Sequence, residues 1–204
     1  MPRGPAQYVR LSNLLTYFSL LCGLGAILVS LKMKSWEAAG LLIALSAFSD
    51  TFDGKFARRF SRTEEEKTFG VQLDSLVDAV SFGVVPVICL SSLVSIDSRL
   101  TWILWLGASF LYLLCALTRL GFYNLHHAEG SGFIGLPTTL AALVWSTLFL
   151  FHPSVALVIP LLAGLGLAMV SAVPIARPRG IAMGVYIVWF LIVAALHGVE
   201  LATW

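Results

Sequence analysis

Residues in this chain run in mainly apolar stretches of about twenty, the length a helix needs to cross a bilayer, separated by short polar joints. Seven stretches qualify: roughly 13–33, 36–58, 71–94, 100–124, 134–151, 154–173 and 181–202. The fifth is short and meets the sixth through a tight Phe151-His152-Pro153 link, which puts the count between six and eight. A β-barrel is excluded because the stretches are continuously apolar and do not alternate. The expectation is an all-α polytopic integral membrane helical bundle of about seven transmembrane helices, one membrane domain over residues 1–204, without internal repeats.

Composition sharpens this picture. The chain has 204 residues, of which 58% are hydrophobic and 12% charged, with a mean hydropathy of +0.89. A soluble domain carries about 25% charged residues. Disordered chains, disulfide scaffolds and ordinary soluble enzymes are therefore excluded. The net charge of +2 is too small for a nucleic-acid binder. Cys22, Cys89 and Cys115 lie inside apolar stretches without metal-ligand spacing, and read as small core residues. The short polar start MPRGPAQYVR, with no small-residue cleavage site after it, reads as the entry to a first span.

Charge fixes an expected orientation. With the N-terminus in the cytoplasm, Arg3, Arg10, Lys55, Arg58, Arg59, Arg62, Lys67, Arg119, Arg177 and Arg179 fall on the cytoplasmic side, and only Lys32, Lys34 and Arg99 on the other. Seven spans then put the C-terminus outside.

Four aspartates depart from the apolar pattern. Asp50 and Asp53 are three residues apart near the end of the second span; Asp74 and Asp78 are four apart near the start of the third. Each pair shares a helix face. The joint RRFSRTEEEKTF is short, so the two spans run antiparallel and set all four carboxylates at one depth. On a lipid-facing surface each would cost about 2.5–3.5 kcal/mol, so they are expected to face inward with compensation. One compensation is pairing with Arg58, Arg59 and Arg62. The favoured one is divalent cations: an all-oxygen set suits Mg²⁺ or Mn²⁺ rather than Zn²⁺, and four carboxylates can hold two ions clamping a phosphoryl group. Gly54, Ala57 and Gly70 leave room beside them, either for a ligand or for close helix packing, and Arg58 can fork onto a phosphate.

The residues Asp50-x-x-Asp53-Gly54-x-x-Ala57-Arg58 and Gly70-x-x-x-Asp74-x-x-x-Asp78 resemble the signature of the CDP-alcohol phosphotransferase family of membrane enzymes at every fixed position. In that family a CDP-linked lipid passes its phosphatidyl group to an alcohol and CMP leaves. The resemblance implies that Asp50, Asp53 and Asp74 coordinate metal. It implies that Asp78 also faces the metals and is the base for the acceptor hydroxyl. Gly54, Ala57, Arg58 and Gly70 would line the nucleotide and pyrophosphate site, shared with Asp50 and Asp74. Ser12-Asn13-Leu14-Leu15-Thr16 resembles the start of the family's first span, where the positions of Asn13 and Thr16 lie near the donor phosphates. Residues 69–86 and 132–138 are similar to the phosphatidylserine synthase branch, which implies CDP-diacylglycerol as donor, L-serine as acceptor and a homodimer. The catalytic core implied covers about 12–140. Two features depart from the pattern: a longer 59–69 segment, and Phe122 where the branch carries an arginine.

Arg119 is expected either to bind a donor or acceptor anion or to snorkel to the interface. His126 and His127 read as interfacial loop residues, Arg177 and Arg179 as a topological signal beside lipid headgroups, and Glu64 to Glu66 as a solvated loop. Trp36, Trp102, Trp105 and Trp204 read as interfacial anchors. Alternatives are another acceptor (inositol phosphate, glycerol phosphate or choline), a membrane prenyltransferase, and an ion-coupled carrier. The Gly54/Ala57/Arg58 continuation speaks against the prenyltransferase. The missing repeats and the off-centre aspartates speak against the carrier.

Overall fold

The computed structural model describes residues 4–125, 133–175 and 180–203. Two 3₁₀ turns, Pro5–Tyr8 and Leu11–Asn13, lead into α1 (Leu14–Lys32). There follow α2 (Trp36–Ala57), α3 (Glu64–Asp78), α4 (Val85–Leu93), α5 (Arg99–Leu125), α6 (Thr138–Phe149), α7 (Val155–Met169) and α8 (Ile181–Ala202). A π-helical stretch, Ala79–Val84, fuses α3 and α4 into one rod. The only strand pairing among the described residues is a two-residue antiparallel contact of β1 (Phe133–Ile134) with β2 (Pro174–Ile175). The molecule is thus an all-helical membrane bundle. Four segments are long and apolar enough to cross a bilayer: Leu11–Lys32, Glu64–Leu93, Arg99–Leu125 and Ile181–Ala202. α6 and α7 are apolar but shorter. α2 has 22 residues and carries Asp50, Asp53 and Lys55 near its end.

Helix ends explain two differences from the sequence reading. The third helix starts at Glu64, not near residue 71. Thr63 accepts from the Glu66 backbone N–H at 3.3 Å while Glu66 Oε2 accepts from the Thr63 N–H at 3.1 Å, a reciprocal capping box. The three glutamates therefore form a helical first turn, where negative charge suits the helix dipole, and not a loop, although Glu64 and Glu65 stay solvent-exposed. Glu66 is buried, and Arg10 donates to it at 3.0 Å. Tyr8 hydrogen-bonds Glu65. The long 59–69 segment thus holds the N-terminal arm against the bundle. The fifth predicted span starts late, as α6 at Thr138, because Pro137 disfavours helix in the residue before it. Gly135, at φ +72°, turns the chain against the Met169 carbonyl, 2.0 Å from where a Cβ would sit.

Packing uses small and hydroxyl-bearing residues, as membrane helices do in place of hydrophobic drive. Between α1 and α2, Ser19 and Ser46 share a hydrogen bond of 2.8 Å, and Ser49 donates to the Leu15 carbonyl at 2.9 Å. Away from the aspartates, Gly40 lets the buried His197 ring of α8 lie against α2; a Cβ there would be 2.3 Å from His197 Cε1. Ser146 of α6 donates to the Gly40 carbonyl at 2.7 Å, and His152 meets Glu37 at 2.9 Å. Large apolar side chains on α1, α5 and α8 face outward, as lipid contact requires.

Trp105 is a correction: it is 6% exposed and lies in the core between helices rather than at an interface. Trp36 packs on Phe149 and His152, and Trp102 is exposed. Trp204, Arg3, His126, His127, Gly132, Arg177 and Arg179 lie outside the described residues. The three cysteines are buried and free.

Pro86 has no N–H to return to the Phe82 carbonyl four residues back. The buried Tyr112 hydroxyl of α5 donates to that carbonyl instead, at 2.8 Å, and accepts from Trp145 Nε1 of α6 at 3.2 Å. This relay fixes the π-helical stretch that immediately follows Asp78. Tyr112→Phe leaves a buried carbonyl and a buried indole N–H unpaired, at about 1–3 kcal/mol. The thermal midpoint in detergent should fall by about 2–12 °C; an unchanged midpoint contradicts the relay.

Candidate active site

The site is built where the ends of α1, α2, α3 and α5 meet. α2 and α3 run antiparallel, and one carboxylate oxygen from each of Asp50, Asp74 and Asp78 lies within 4.8 Å of the others. Asp53 sits beside this trio, within electrostatic reach of Asp74, and Thr16 of α1 donates to Asp53 Oδ2 at 3.1 Å. Asn13, buried at the entry to α1, faces Gly70 across 3.5 Å from a notional Cβ. Arg58 caps α2 and folds back to within 3.8 Å of the corresponding position on Gly54. Ala57 is buried, while Gly54 and Arg58 are exposed.

Arg119 does not reach out to an interface. It is 7% exposed, on the face of α5 turned to the aspartates, within electrostatic reach of Asp78 and Asp50. Its guanidinium lies 5.9 Å from the Tyr123 ring. Phe122 is on an exposed face of the same helix. Among the described residues no ion pair joins the aspartates to Arg58, Arg59 or Arg62.

Two charges 4.8 Å apart repel by about 3 kcal/mol per pair at an effective dielectric of about 20. Three converging carboxylates therefore need more positive charge than Arg119 brings. Asp74 Oδ1 and Asp78 Oδ1 are buried and accept no hydrogen bond. Orphaned, converging oxygens of this kind, with no nitrogen or sulfur donor among them, fit a hard divalent cation.

Three supports were not foreseen. Thr51 Oγ1 lies 2.9 Å from the Tyr186 hydroxyl, and both reach the Ala47 carbonyl, at 2.9 and 3.2 Å; this pins α8 beside Asp50. Ser75, next to Asp74, donates to Asn124 Oδ1 of α5 at 2.9 Å. The Tyr112 relay does the same service for Asp78. Only the last left a trace in the sequence, the proline four residues after Phe82.

A helical integral membrane protein with a half-buried all-carboxylate cluster at one end of the bundle belongs to a class whose donor set fits hard divalent cations. The family can be named more closely. The family model described as CDP-alcohol phosphatidyltransferase matches residues 9–196. The chain belongs to the CDP-alcohol phosphatidyltransferase family. It is 35% identical over 144 residues to the archaetidylserine synthase of Methanothermobacter thermautotrophicus, covering 71% of this chain and 59% of that protein. It is 32% identical over 139 residues to the CDP-diacylglycerol--serine O-phosphatidyltransferase of Mycobacterium tuberculosis, covering 65% and 46%. With the protein of the same name from Bacillus subtilis the identity is 31% over 143 residues, covering 69% and 76%. The matched stretch spans little more than half of the first relative and less than half of the second.

Proposed function

We propose that this protein transfers the phosphatidyl group of CDP-diacylglycerol to the hydroxyl of L-serine, releasing CMP and forming phosphatidylserine. The observation that carries the reading is the convergence of Asp50, Asp74 and Asp78 in a chain of this family. Serine is favoured because the relatives above are named for serine acceptors. The buried cationic Arg119 beside the carboxylates fits an anionic substrate group.

In this reading Asp50, Asp53, Asp74 and Asp78 hold two divalent ions, Mg²⁺ or Mn²⁺. Bound ions would supply Lewis-acid polarisation and charge neutralisation at the pyrophosphate oxygens. The chain's own residues do the rest. Thr16 orients Asp53 by its hydrogen bond. Asn13, Gly54, Ala57, Arg58 and Gly70 accommodate the nucleotide and its pyrophosphate, the two glycines by leaving space and Arg58 by its fork. Asp78 takes the proton of the acceptor hydroxyl as its oxygen attacks the lipid-side phosphorus. The P–O bond to CMP breaks, and CMP leaves with the electron pair. Arg119 steers the acceptor carboxylate or a phosphate into the cluster. The site lies at an end of the bundle, which lets the lipid tail stay in the bilayer while CMP leaves to water.

The chain acts as one membrane domain with its catalytic core on about 12–140, as a homodimer. The N-terminus and site face the cytoplasm, supported by the basic residues gathered at the aspartate end. The acceptor is tested by product analysis of reconstituted protein supplied with CDP-diacylglycerol and a panel of L-serine, inositol phosphate, glycerol phosphate and choline. Phosphatidylserine as the sole product is expected. A phosphatidyl product with any other alcohol and none with serine overturns serine and keeps the donor chemistry.

A further inference from the structure

The last helix, α8, is apolar and turns Val185, Val188 and Leu191 outward, each more than half exposed. It lies outside the stretch 12–140 that carries the motif. Near its start, however, Tyr186 turns inward. It is 6% exposed and brings a hydroxyl into an apolar interface with Ala44, Leu143 and Phe190. A buried hydroxyl is costly unless it is hydrogen-bonded. This one finds two partners on α2: it donates to the Ala47 carbonyl at 3.2 Å and lies 2.9 Å from Thr51 Oγ1. Thr51 Oγ1 lies 2.9 Å from the same carbonyl.

The three oxygens close a triangle with two hydroxyl hydrogens to fill it. Thr51 donates to Tyr186 while Tyr186 donates to the carbonyl, or Thr51 donates to the carbonyl and Tyr186 to Thr51. In either state the two hydroxyls act as one unit, and that unit grips the α2 turn from Ala47 to Thr51. Threonine hydroxyls that bond back four residues often bend a helix. Here that bond is shared with a second helix, which fixes the shape of the turn.

Asp50 belongs to that turn. It is the α2 member of the trio whose oxygens lie within 4.8 Å of one another, and the Tyr186 hydroxyl is within its electrostatic reach. Packing alone does not need the hydroxyl. Phe48 and Phe190 stack at 4.2 Å in the same interface, and a phenylalanine at position 186 would fill the same space. We propose that Tyr186 is a positioning residue: through Thr51 and the Ala47 carbonyl it sets the turn that aims Asp50 at the cation site, which makes the last helix part of the catalytic apparatus. The inference rests on the divalent-cation reading of the proposed function. It adds to that site two hydroxyls that neither the motif nor the carboxylate cluster contains.

The test measures Mn²⁺ binding to the full chain in lipid nanodiscs without substrate, from the electron paramagnetic resonance signal of free Mn²⁺. Losing a partner that orients a metal ligand costs about 10–100-fold in metal affinity. Tyr186→Phe and Thr51→Val should each weaken Mn²⁺ binding by about tenfold. The double variant should lose little more than either alone, because the two hydroxyls act as a unit. Thr51→Ser keeps the hydroxyl and should bind Mn²⁺ within about twofold of wild type. Phe190→Leu loosens the same interface without touching either hydroxyl; it should lower the thermal midpoint and leave Mn²⁺ affinity unchanged. In turnover by Tyr186→Phe, the Mn²⁺ concentration giving half-maximal rate should rise in step with the dissociation constant, while kcat at saturating Mn²⁺ and the serine KM hold. Wild-type Mn²⁺ affinity in both Tyr186→Phe and Thr51→Val overturns the proposal. So does a loss in Phe190→Leu as large as theirs, or a loss in Thr51→Ser equal to that in Thr51→Val. Wild-type protein that binds no Mn²⁺ contradicts the divalent-cation reading itself, and the inference falls with it.

Discussion

Replacing Asp78 with asparagine should abolish turnover while leaving the protein folded and able to bind its donor. Asparagine has the shape of aspartate but cannot take a proton from a hydroxyl at neutral pH. Removing a positioned general base costs about 10²–10⁴ in rate. Asp78 is buried, sits between Asp74 and the π-helical stretch, and is within electrostatic reach of Arg119. The variant should therefore release CMP at least about a hundredfold more slowly, with CMP affinity and thermal midpoint close to those of the wild type. Turnover within tenfold of wild type would remove Asp78 from the base role.

Asp50→Asn should act on the other half of the site. Asp50 is the α2 member of the converging trio and faces both α3 aspartates. Losing its charge weakens a hard-cation site, whose affinity follows the number of charged oxygens. The Mn²⁺ or Mg²⁺ concentration giving half-maximal rate should rise by about tenfold or more, or activity should vanish. Unchanged metal dependence would exclude Asp50 as a ligand. The two variants separate by their readouts: excess metal should recover part of the Asp50→Asn activity and none of the Asp78→Asn activity.

Much of this site was legible in the sequence because charge inside an apolar run is costly and therefore placed for a reason. The i,i+3 and i,i+4 spacings put each aspartate pair on one face, and the short joint forced the antiparallel hairpin that brings Asp50 to Asp74 and Asp78. The helical rods were legible from unbroken apolarity alone. What escaped depended on tertiary partners. Trp105 is as apolar as an interfacial anchor and is told apart only by the helices packed around it. Tyr112 finds the carbonyl that Pro86 cannot serve from another helix, across 30 residues of sequence. The Glu64–Glu66 turn is a different case. The Thr63-x-x-Glu66 pattern announces a helix start, but the charge run read as a loop until Arg10 and Tyr8 were seen to hold it. The apolar run over 134–151 also concealed the break at Gly135 and Pro137, because hydropathy says nothing about backbone conformation.

The central claim, divalent-cation-dependent phosphatidyl transfer at the aspartate cluster, is tested most directly by CMP release. Purified protein in liposomes would receive CDP-diacylglycerol and L-serine, with Mn²⁺ or Mg²⁺ or with a chelator. The account predicts CMP and phosphatidylserine in equal amounts with the cation, and neither with the chelator. CMP release that persists undiminished without a divalent cation, or no release under any of these conditions, would contradict it.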